Sequence, residues 1–151
     1  MPALAKAVTK AMGDCQAYRI SPNDTNYLAI VFAPKSDGVA LTCVIEIFEP
    51  KGKTPPNVHQ RAHEYFFVLQ GEGLAYADDD PPVPLKAGDA LLVRPGTMHV
   101  IENTGAGKLY TLTIQTPDEE FEALIRRGTP VPLDAEDKAV LSRVAARRPL
   151  S

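Results

Sequence analysis

Residues 52–71, GKTPPNVHQRAHEYFFVLQG, decide the fold that this sequence predicts. They place His59 five residues before Glu64, and an apolar run rich in aromatic residues follows, which favours a β-strand. Because side chains alternate along a strand, Phe66 and Val68 are expected to face the same way as Glu64. The stretch therefore predicts a strand that carries one carboxylate into a mostly apolar interior.

A second stretch, residues 88–103 (GDALLVRPGTMHVIEN), supplies another histidine, His99. Imidazole nitrogens and a carboxylate that converge from different strands can bind iron, manganese, nickel, copper or zinc. His59, Glu64 and His99 are such a set. In a chain with three histidines, spacing alone is better explained by exposed or hydrogen-bonded side chains than by a metal site.

The composition predicts one globular domain over residues 1–151. The chain is 44% hydrophobic and 23% charged, which argues against disorder. A net charge of -3 offers no basic surface to nucleic acid, and no apolar run reaches the roughly 18 residues of a membrane span. The N-terminal residues lack the apolar core of a secretion signal, so we expect a cytoplasmic protein in which Cys15 and Cys43 are free thiols.

Short β-prone runs between glycines and prolines predict a mostly β, antiparallel barrel over about residues 17–115. The predicted strands are residues 18–20, 27–32, 39–48, 64–69, 74–77, 90–93, 99–101 and 108–115. The run YLAIVF, residues 27–32, is apolar throughout. It is therefore expected either to be covered on both faces or to pack at a subunit interface.

Helices are predicted at both ends of the chain. Residues 3–12 carry an apolar residue at every fourth position, which indicates a short amphipathic N-terminal helix. In the tail, residues 116–151, a capping box at 116–119 predicts one helix. Prolines 130 and 132 predict a rigid link, and Asp134 is expected to cap a second helix. The apolar stripes of the two tail helices are Phe121, Leu124 and Ile125, and then Val140, Leu141 and Val144.

The two stretches resemble the two sequence motifs of the cupin superfamily. The first motif has a glycine, a His-x-His pair, a glutamate, six residues and a glycine, and here Glu64 and Gly71 match it. His59 matches the second histidine of the pair, and Asn57 stands in place of the first. The second motif is matched by Gly88, Gly96, His99 and Asn103.

The resemblance implies a mostly β fold: a double-stranded β-helix, or jelly-roll, barrel with a short N-terminal helix and two C-terminal helices. It also implies one divalent transition-metal ion (iron, manganese, nickel or zinc) bound by His59, Glu64 and His99. Asn57 takes the place of a fourth ligand, where it either coordinates weakly or leaves a position open for substrate. Glu64 is in addition the candidate catalytic base.

A small-molecule ligand is the expected partner. Asn57 is the polar candidate for contact with it, and four apolar residues are candidates for the pocket wall or for simple barrel filling: Phe66, Val68, Leu92 and Ile101. His63 adjoins Glu64 and should face the opposite side of the strand. Arg61 and Arg94 are interpreted as surface ion-pair partners rather than contacts to an anionic substrate.

The helical tail gives a loose resemblance to small bacterial single-domain cupins likened to quercetin dioxygenases. We therefore expect an oxygenase of a small aromatic or enolic compound. Isomerase or lyase chemistry on a sugar or keto acid is one alternative, and a non-catalytic barrel for sensing or storage is the other, which Asn57 mildly favours. Cupin barrels commonly pair through their outer sheets, so a homodimer that uses residues 27–32 is also expected.

Overall fold

The structure of the chain is a computed structural model that describes residues 4–142. Within this range the chain forms ten strands, three α-helices and one 3₁₀ turn, Met12–Asp14. The strands are β1 Ala17–Arg19, β2 Asn26–Phe32, β3 Thr42–Phe48, β4 His63–Gln70, β5 Glu72–Ala77, β6 Val83–Lys86, β7 Ala90–Val93, β8 His99–Asn103, β9 Leu109–Thr116 and β10 Thr129–Val131. The helices are α1 Pro34–Asp37, α2 Phe121–Arg126 and α3 Ala135–Ser142.

All strand pairs are antiparallel and form two sheets. The larger sheet has the order β10-β1-β2-β3-β9-β4-β7, and the smaller one has the order β6-β5-β8. The chain passes from one sheet to the other at Gly71, whose φ of 98° is a backbone conformation that favours glycine. This is the double-stranded β-helix that the motifs imply. No helix in residues 4–142 is long and apolar enough to cross a membrane.

The register of the large sheet determines which side chains enter the barrel. Glu64 lies opposite Gln115, and Phe66 lies opposite Thr113. On the next strand pair Glu46 lies opposite Thr111. Because paired residues of antiparallel strands point to the same face, Glu46 and Glu64 both project into the barrel interior.

The strand β2 is covered on both faces, which is one of the two outcomes that its apolar run predicts. Tyr27, Ala29 and Val31 pack in an outer cluster with residues of the N-terminal segment and α3. Leu28 and Ile30 pack in an inner cluster that includes residues of α2. The prediction of an exposed dimer face at this strand is therefore wrong, because the chain itself buries it. The homodimer stays a prediction without this contact.

The predicted N-terminal helix is wrong in its extent. Residue 3 lies outside the described range, residues 4–11 have no regular structure, and only the 3₁₀ turn Met12–Asp14 follows. Leu4 and Val8 of the predicted stripe are exposed by 83% and 54%, and only Met12 packs against the outer cluster. A short helix is marginal in water unless its apolar face is buried, and most of this face is exposed.

The first tail helix begins later than predicted. It starts at Phe121, and the Asp118 carboxylate accepts the backbone N–H of Glu122 at 2.9 Å. Glu119, the last residue of the predicted capping box, instead accepts hydrogen bonds from a loop of the barrel. The prolines that suggested a rigid link lie in and beside β10, which within residues 4–142 pairs only with β1. An edge strand tolerates proline because one side of it has no ladder to complete.

The second tail helix, α3, is capped as predicted and is fixed to the barrel by a buried carboxylate. The Asp134 carboxylate accepts the N–H of Asp137 at 2.8 Å. Asp137 is fully buried and accepts hydrogen bonds from the hydroxyls of Tyr27 (2.7 Å) and Tyr110 (2.6 Å) and from the Lys108 ammonium (3.0 Å). Leu141 of the apolar stripe predicted for this helix is buried, and Val144 lies outside the described residues.

Candidate metal centre

His59, Glu64 and His99 converge on one point. The Oε1 atom of Glu64 lies 2.8 Å from Nε2 of His99 and 3.4 Å from Nε2 of His59. The two imidazole rings are 5.3 Å apart between centroids, and one ligand atom from each of the three residues lies within 4.8 Å of the others. Two nitrogens and a carboxylate oxygen therefore face a common position.

Backbone hydrogen bonds bring the two motif stretches together at this point. Asn57 and His99 form an isolated β-bridge, with N–H to carbonyl distances of 3.2 and 3.0 Å. The carbonyl of His59 accepts the N–H of Gly96 at 2.7 Å. Glu64 follows on β4 as an inward-pointing residue. Main-chain hydrogen bonds, and not side-chain packing alone, thus fix the relative positions of the two motif stretches.

The side chain of His99 is oriented by its second nitrogen. Nδ1 lies 3.0 Å from the carbonyl of Thr97, to which it can donate, and this leaves Nε2 directed at Glu64. Burial lowers the pKa of His99, but the hydrogen bond to Glu64 and the one to Thr97 outweigh it, so the net pKa is raised. A cation that displaces the proton from Nε2 would meet an imidazole already aimed at it.

Glu64 remains a carboxylate despite its burial. Burial alone would raise its pKa, yet the hydrogen bonds with His59 and His99 and their charge bring the pKa below the ordinary value of 4.5. An ionised oxygen ligand next to two imidazoles is the donor set expected for a divalent transition metal. The residues therefore fit such an ion.

Asn57 adds an observation that fits a ligand at this site. Its Nδ2 donates to the carbonyl of Pro55 at 3.2 Å, but its Oδ1 is buried and has no hydrogen-bond partner. Buried polar atoms are almost always partnered, so an acceptor without a partner beside this donor set is consistent with a contact to a bound ion or its water.

A cavity of about 230 Å³ lies against the three residues. Asn57, Phe66 and Ile101 line it, and their role as ligand contacts stays a prediction. The other lining residues are Ile20, Ser21, Asp24, Asn26, Leu28, Glu46, Thr54, Pro55, His59, Glu64, His99, Phe121 and Leu124. The volume lies below the usual range for small-molecule pockets and therefore suits a ligand of few atoms.

Two predicted wall residues lie elsewhere. Leu92 is 39% exposed, because on β7 it pairs with outward-facing Tyr65 while Leu91 pairs with inward-facing Phe66. Val68 does point inward, but it packs in a deeper core cluster and does not line the cavity. Leu92 is therefore corrected to an outward-facing residue, whereas Val68 fills the barrel, which was the predicted alternative.

The remaining charged residues near the motifs are outside the site. His63 lies on β4 next to Glu64 and therefore faces the opposite side of the sheet. Arg61 is exposed and forms an ion pair with Glu119, with Nε and Oε1 3.7 Å apart. Arg94 is also exposed and does not line the cavity. The interpretation of Arg61 as a surface ion-pair partner agrees with its position, whereas Arg94 is a surface residue that forms no ion pair among residues 4–142.

Glu46 and Asn26 belong to the cavity and were not predicted from the sequence. Nδ2 of Asn26 donates to Oε2 of Glu46 at 2.8 Å, and both side chains are buried. Burial and the nearby charge of Glu64 raise the pKa of Glu46 to about 8. The available signal was a single acidic residue in the otherwise uncharged run TCVIEIF.

Glu119 holds the loop that carries His59. Its carboxylate accepts the backbone N–H groups of Gln60 (3.0 Å), Arg61 (2.7 Å) and Ala62 (3.1 Å). Burial would raise the pKa of Glu119, but these three donors outweigh it and lower the pKa. The tail thus orients one side of the candidate centre.

Comparison with known proteins agrees with the fold. Residues 44–115 match the family model described as Cupin domain. The chain is 39% identical over 56 residues to an oxalate-binding protein of Thermotoga maritima, which covers 37% of this chain and 46% of that protein. It is 33% identical over 78 residues to an uncharacterised protein of Methanocaldococcus jannaschii, which covers 51% and 62% respectively. The matches therefore span about half of the length of these curated relatives.

Among solved structures, the fold is similar to that of a predicted oxalate decarboxylase from Thermotoga maritima. The TM-score is 0.63 at 24% identity, and the match covers 72% of this chain and 97% of that one. At this level of identity the similarity is evidence for the fold.

Proposed function

The chain is a member of the cupin superfamily, and from that premise we propose that it is a metal-dependent oxygenase of a small aromatic or enolic compound. His59, Glu64 and His99 would hold one divalent transition-metal ion, with Asn57 as a weak fourth ligand or an open position. The observation that carries the proposal is the convergence of two imidazole nitrogens and a carboxylate oxygen within 4.8 Å beside a cavity. A set of two histidines and one carboxylate with open positions is typical of non-haem iron oxygenases.

A bound ion would supply Lewis acidity to the oxygens of the ligand and, if it is redox-active, reactivity toward dioxygen. The residues of the chain have separate tasks. Glu64 has one oxygen directed at both histidines, which leaves the other available to take a proton from a ligand hydroxyl. Phe66 and Ile101 present apolar surface beside the site, and this excludes water and orients a planar ligand.

A second candidate function is binding without turnover. Asn57 provides a neutral amide oxygen where the family motif has a histidine, and such an oxygen is a poorer donor for late transition metals. The relative from Thermotoga maritima is named for binding oxalate. A sensing or storage role on the same cavity, or isomerase or lyase chemistry on a sugar or keto acid, would use the same metal ligands.

The test combines metal analysis with oxygen uptake. We expect purified protein to contain close to one transition-metal ion per chain, and His99→Ala to lose it. His63→Ala is the matched control, since it removes an imidazole from the other face of β4 and should retain the metal. A protein without metal under metal-replete expression would refute the proposal.

Oxygen consumption by the metal-loaded protein with a panel of catechols, enediols and flavonols then separates the two functions. Uptake that His99→Ala abolishes and His63→Ala preserves supports the oxygenase. Tight binding of a panel member without uptake favours the binding role. The predicted homodimer is measured separately by light scattering, and a monomer mass would contradict it.

A further inference from the structure

The cavity contains a second polar pair, on the side formed by β2 and β3. Asn26 donates from Nδ2 to Oε2 of Glu46 at 2.8 Å, and Oε1 of Glu46 lies 3.4 Å from the hydroxyl of Thr113. This arrangement fixes the orientation of the Asn26 amide. Its Nδ2 faces Glu46, and its Oδ1 is left as a buried atom with no hydrogen-bond partner.

An unpartnered amide oxygen in a residue that lines a cavity indicates a ligand that supplies a donor. Asn26 is 4% exposed, so little bulk water reaches it. Buried acceptors without a partner are rare and unfavourable, so a ligand hydroxyl that hydrogen bonds to this oxygen would be bound preferentially over an apolar group of the same size.

The charge of the lining gives an independent argument about the same ligand. Three acidic residues line the cavity, Asp24, Glu46 and Glu64, and no lysine or arginine of the described residues does. A ligand carboxylate that reached this side of the cavity would therefore find no lysine or arginine of the described residues to pair with it.

We propose that Asn26 and Glu46 form a second recognition point, which selects ligands with an anionic or enolic chelating end for the metal and an uncharged hydroxyl group for Asn26. The inference rests on the proposed function, since it takes the chelating end to lie at His59, Glu64 and His99. It specifies the ligand class as small hydroxylated acids or enols. It excludes dicarboxylates whose second carboxylate reaches Asn26.

Three probes with the same chelating end test this selection. 2-Hydroxybutanoate, 2,4-dihydroxybutanoate and malate share a 2-hydroxy acid and differ in a terminal methyl, hydroxyl or carboxylate. Calorimetric titration of the metal-loaded protein should give the tightest binding for the hydroxyl probe, by about 5- to 20-fold over the methyl probe. Malate should bind more weakly than the methyl probe.

Asn26→Leu should abolish the advantage of the hydroxyl probe while metal content stays at the wild-type level. Asn23→Leu, at an exposed position outside the cavity, is the matched control and should retain the advantage. If circular dichroism shows that Asn26→Leu is unfolded, Glu46→Gln serves instead. Its amide can donate to Oδ1 of Asn26, so the hydroxyl advantage should fall there as well.

Equal binding of the methyl and hydroxyl probes to wild type would overturn the inference, and so would an advantage that persists in the Asn26 variant. Tighter binding of malate would do the same, because it would mean that the cavity accepts a second carboxylate in preference to an uncharged hydroxyl. Metal content is measured first. A protein without metal fails the proposed function and this inference together, whereas a metal-loaded protein without the hydroxyl preference fails only the inference.

Discussion

Glu46 should make the protein less stable as the pH rises, and Glu46→Gln should remove this dependence. Its pKa is about 8 in the folded state against an ordinary value of 4.5. Between these values the folded chain keeps a proton that the unfolded chain has lost. The free energy of unfolding therefore decreases as pH increases, with full stability present below about 4.5 and the loss complete above about 8.

The magnitude follows from the difference between the two pKa values. Each pH unit in this window lowers the free energy of unfolding by about 1.4 kcal/mol, and the full window amounts to about 5 kcal/mol. Solvent screening is small because Glu46 is only 5% exposed. Glu64 and His99 are the titratable neighbours with a charge effect on Glu46, and both are retained in the variant.

Urea unfolding of metal-free protein between pH 5 and 9 measures the effect. The difference between Glu46→Gln and wild type should be small at pH 5 and grow to several kcal/mol in favour of the variant at pH 8 to 9. Glu72→Gln, at an exposed position on β5, is the control and should run parallel to wild type. If the difference in the free energy of unfolding between Glu46→Gln and wild type does not change between pH 5 and 9, the reasoning is refuted.

Three further predictions concern the parts of the fold that support the site. Asp137→Ala leaves two buried tyrosine hydroxyls without their acceptor and removes one of the two carboxylates that pair with Lys108, so we expect urea unfolding to show a loss of about 3–5 kcal/mol. A loss below about 1 kcal/mol would contradict the role of the network. Glu119→Gln should weaken metal binding about 10-fold in a calorimetric titration because the His59 loop loses its carboxylate acceptor. The adjacent exposed Glu120→Gln is its control, and equal affinities would argue against the role of Glu119. Gly73→Ala would place a Cβ 2.3 Å from the Glu102 carbonyl oxygen and should destabilise the chain by about 2 kcal/mol. Gly107→Ala, which meets nothing within 4 Å, should be near neutral in the same unfolding assay, and equal stabilities would disprove the predicted clash.

The residues of the candidate metal centre could be predicted because their positions are encoded locally. The motif spacing identifies His59 and His99, and the alternation of side chains places Glu64 and Phe66 on one face of β4. Glu46 could not be assigned in this way. Its arrival in the same cavity depends on the register of β3 with β9 and of β9 with β4, which is a property of the folded sheet.

The errors have a related cause. The alternation of side chains along a strand cannot show whether Leu91 or Leu92 faces the barrel interior, since both are apolar. The pairing of β7 with β4 decides this and places Leu92 on the outer face. The spacing of Leu4 and Val8 correctly describes an apolar stripe, but a stripe becomes a helix only where another surface covers it. In the tail, the prolines predicted a link rather than a strand. β10 can nevertheless contain a proline because it is an edge strand.

The two parts of the cavity divide the task of recognising a ligand. Asn57 would offer a bound metal a neutral oxygen in place of an imidazole, so a ligand oxygen would compete for that position more easily. Because no lysine or arginine within residues 4–142 lines the cavity, a bound cation would be the main attraction for an anionic group. The anionic end would then face the metal, and the uncharged end would face Asn26. The motif stretches would thus determine how a ligand is chelated, while β2 and β3 determine which ligand fits. A relative that shares the motifs but differs at Asn26 and Glu46 is therefore expected to bind a different compound.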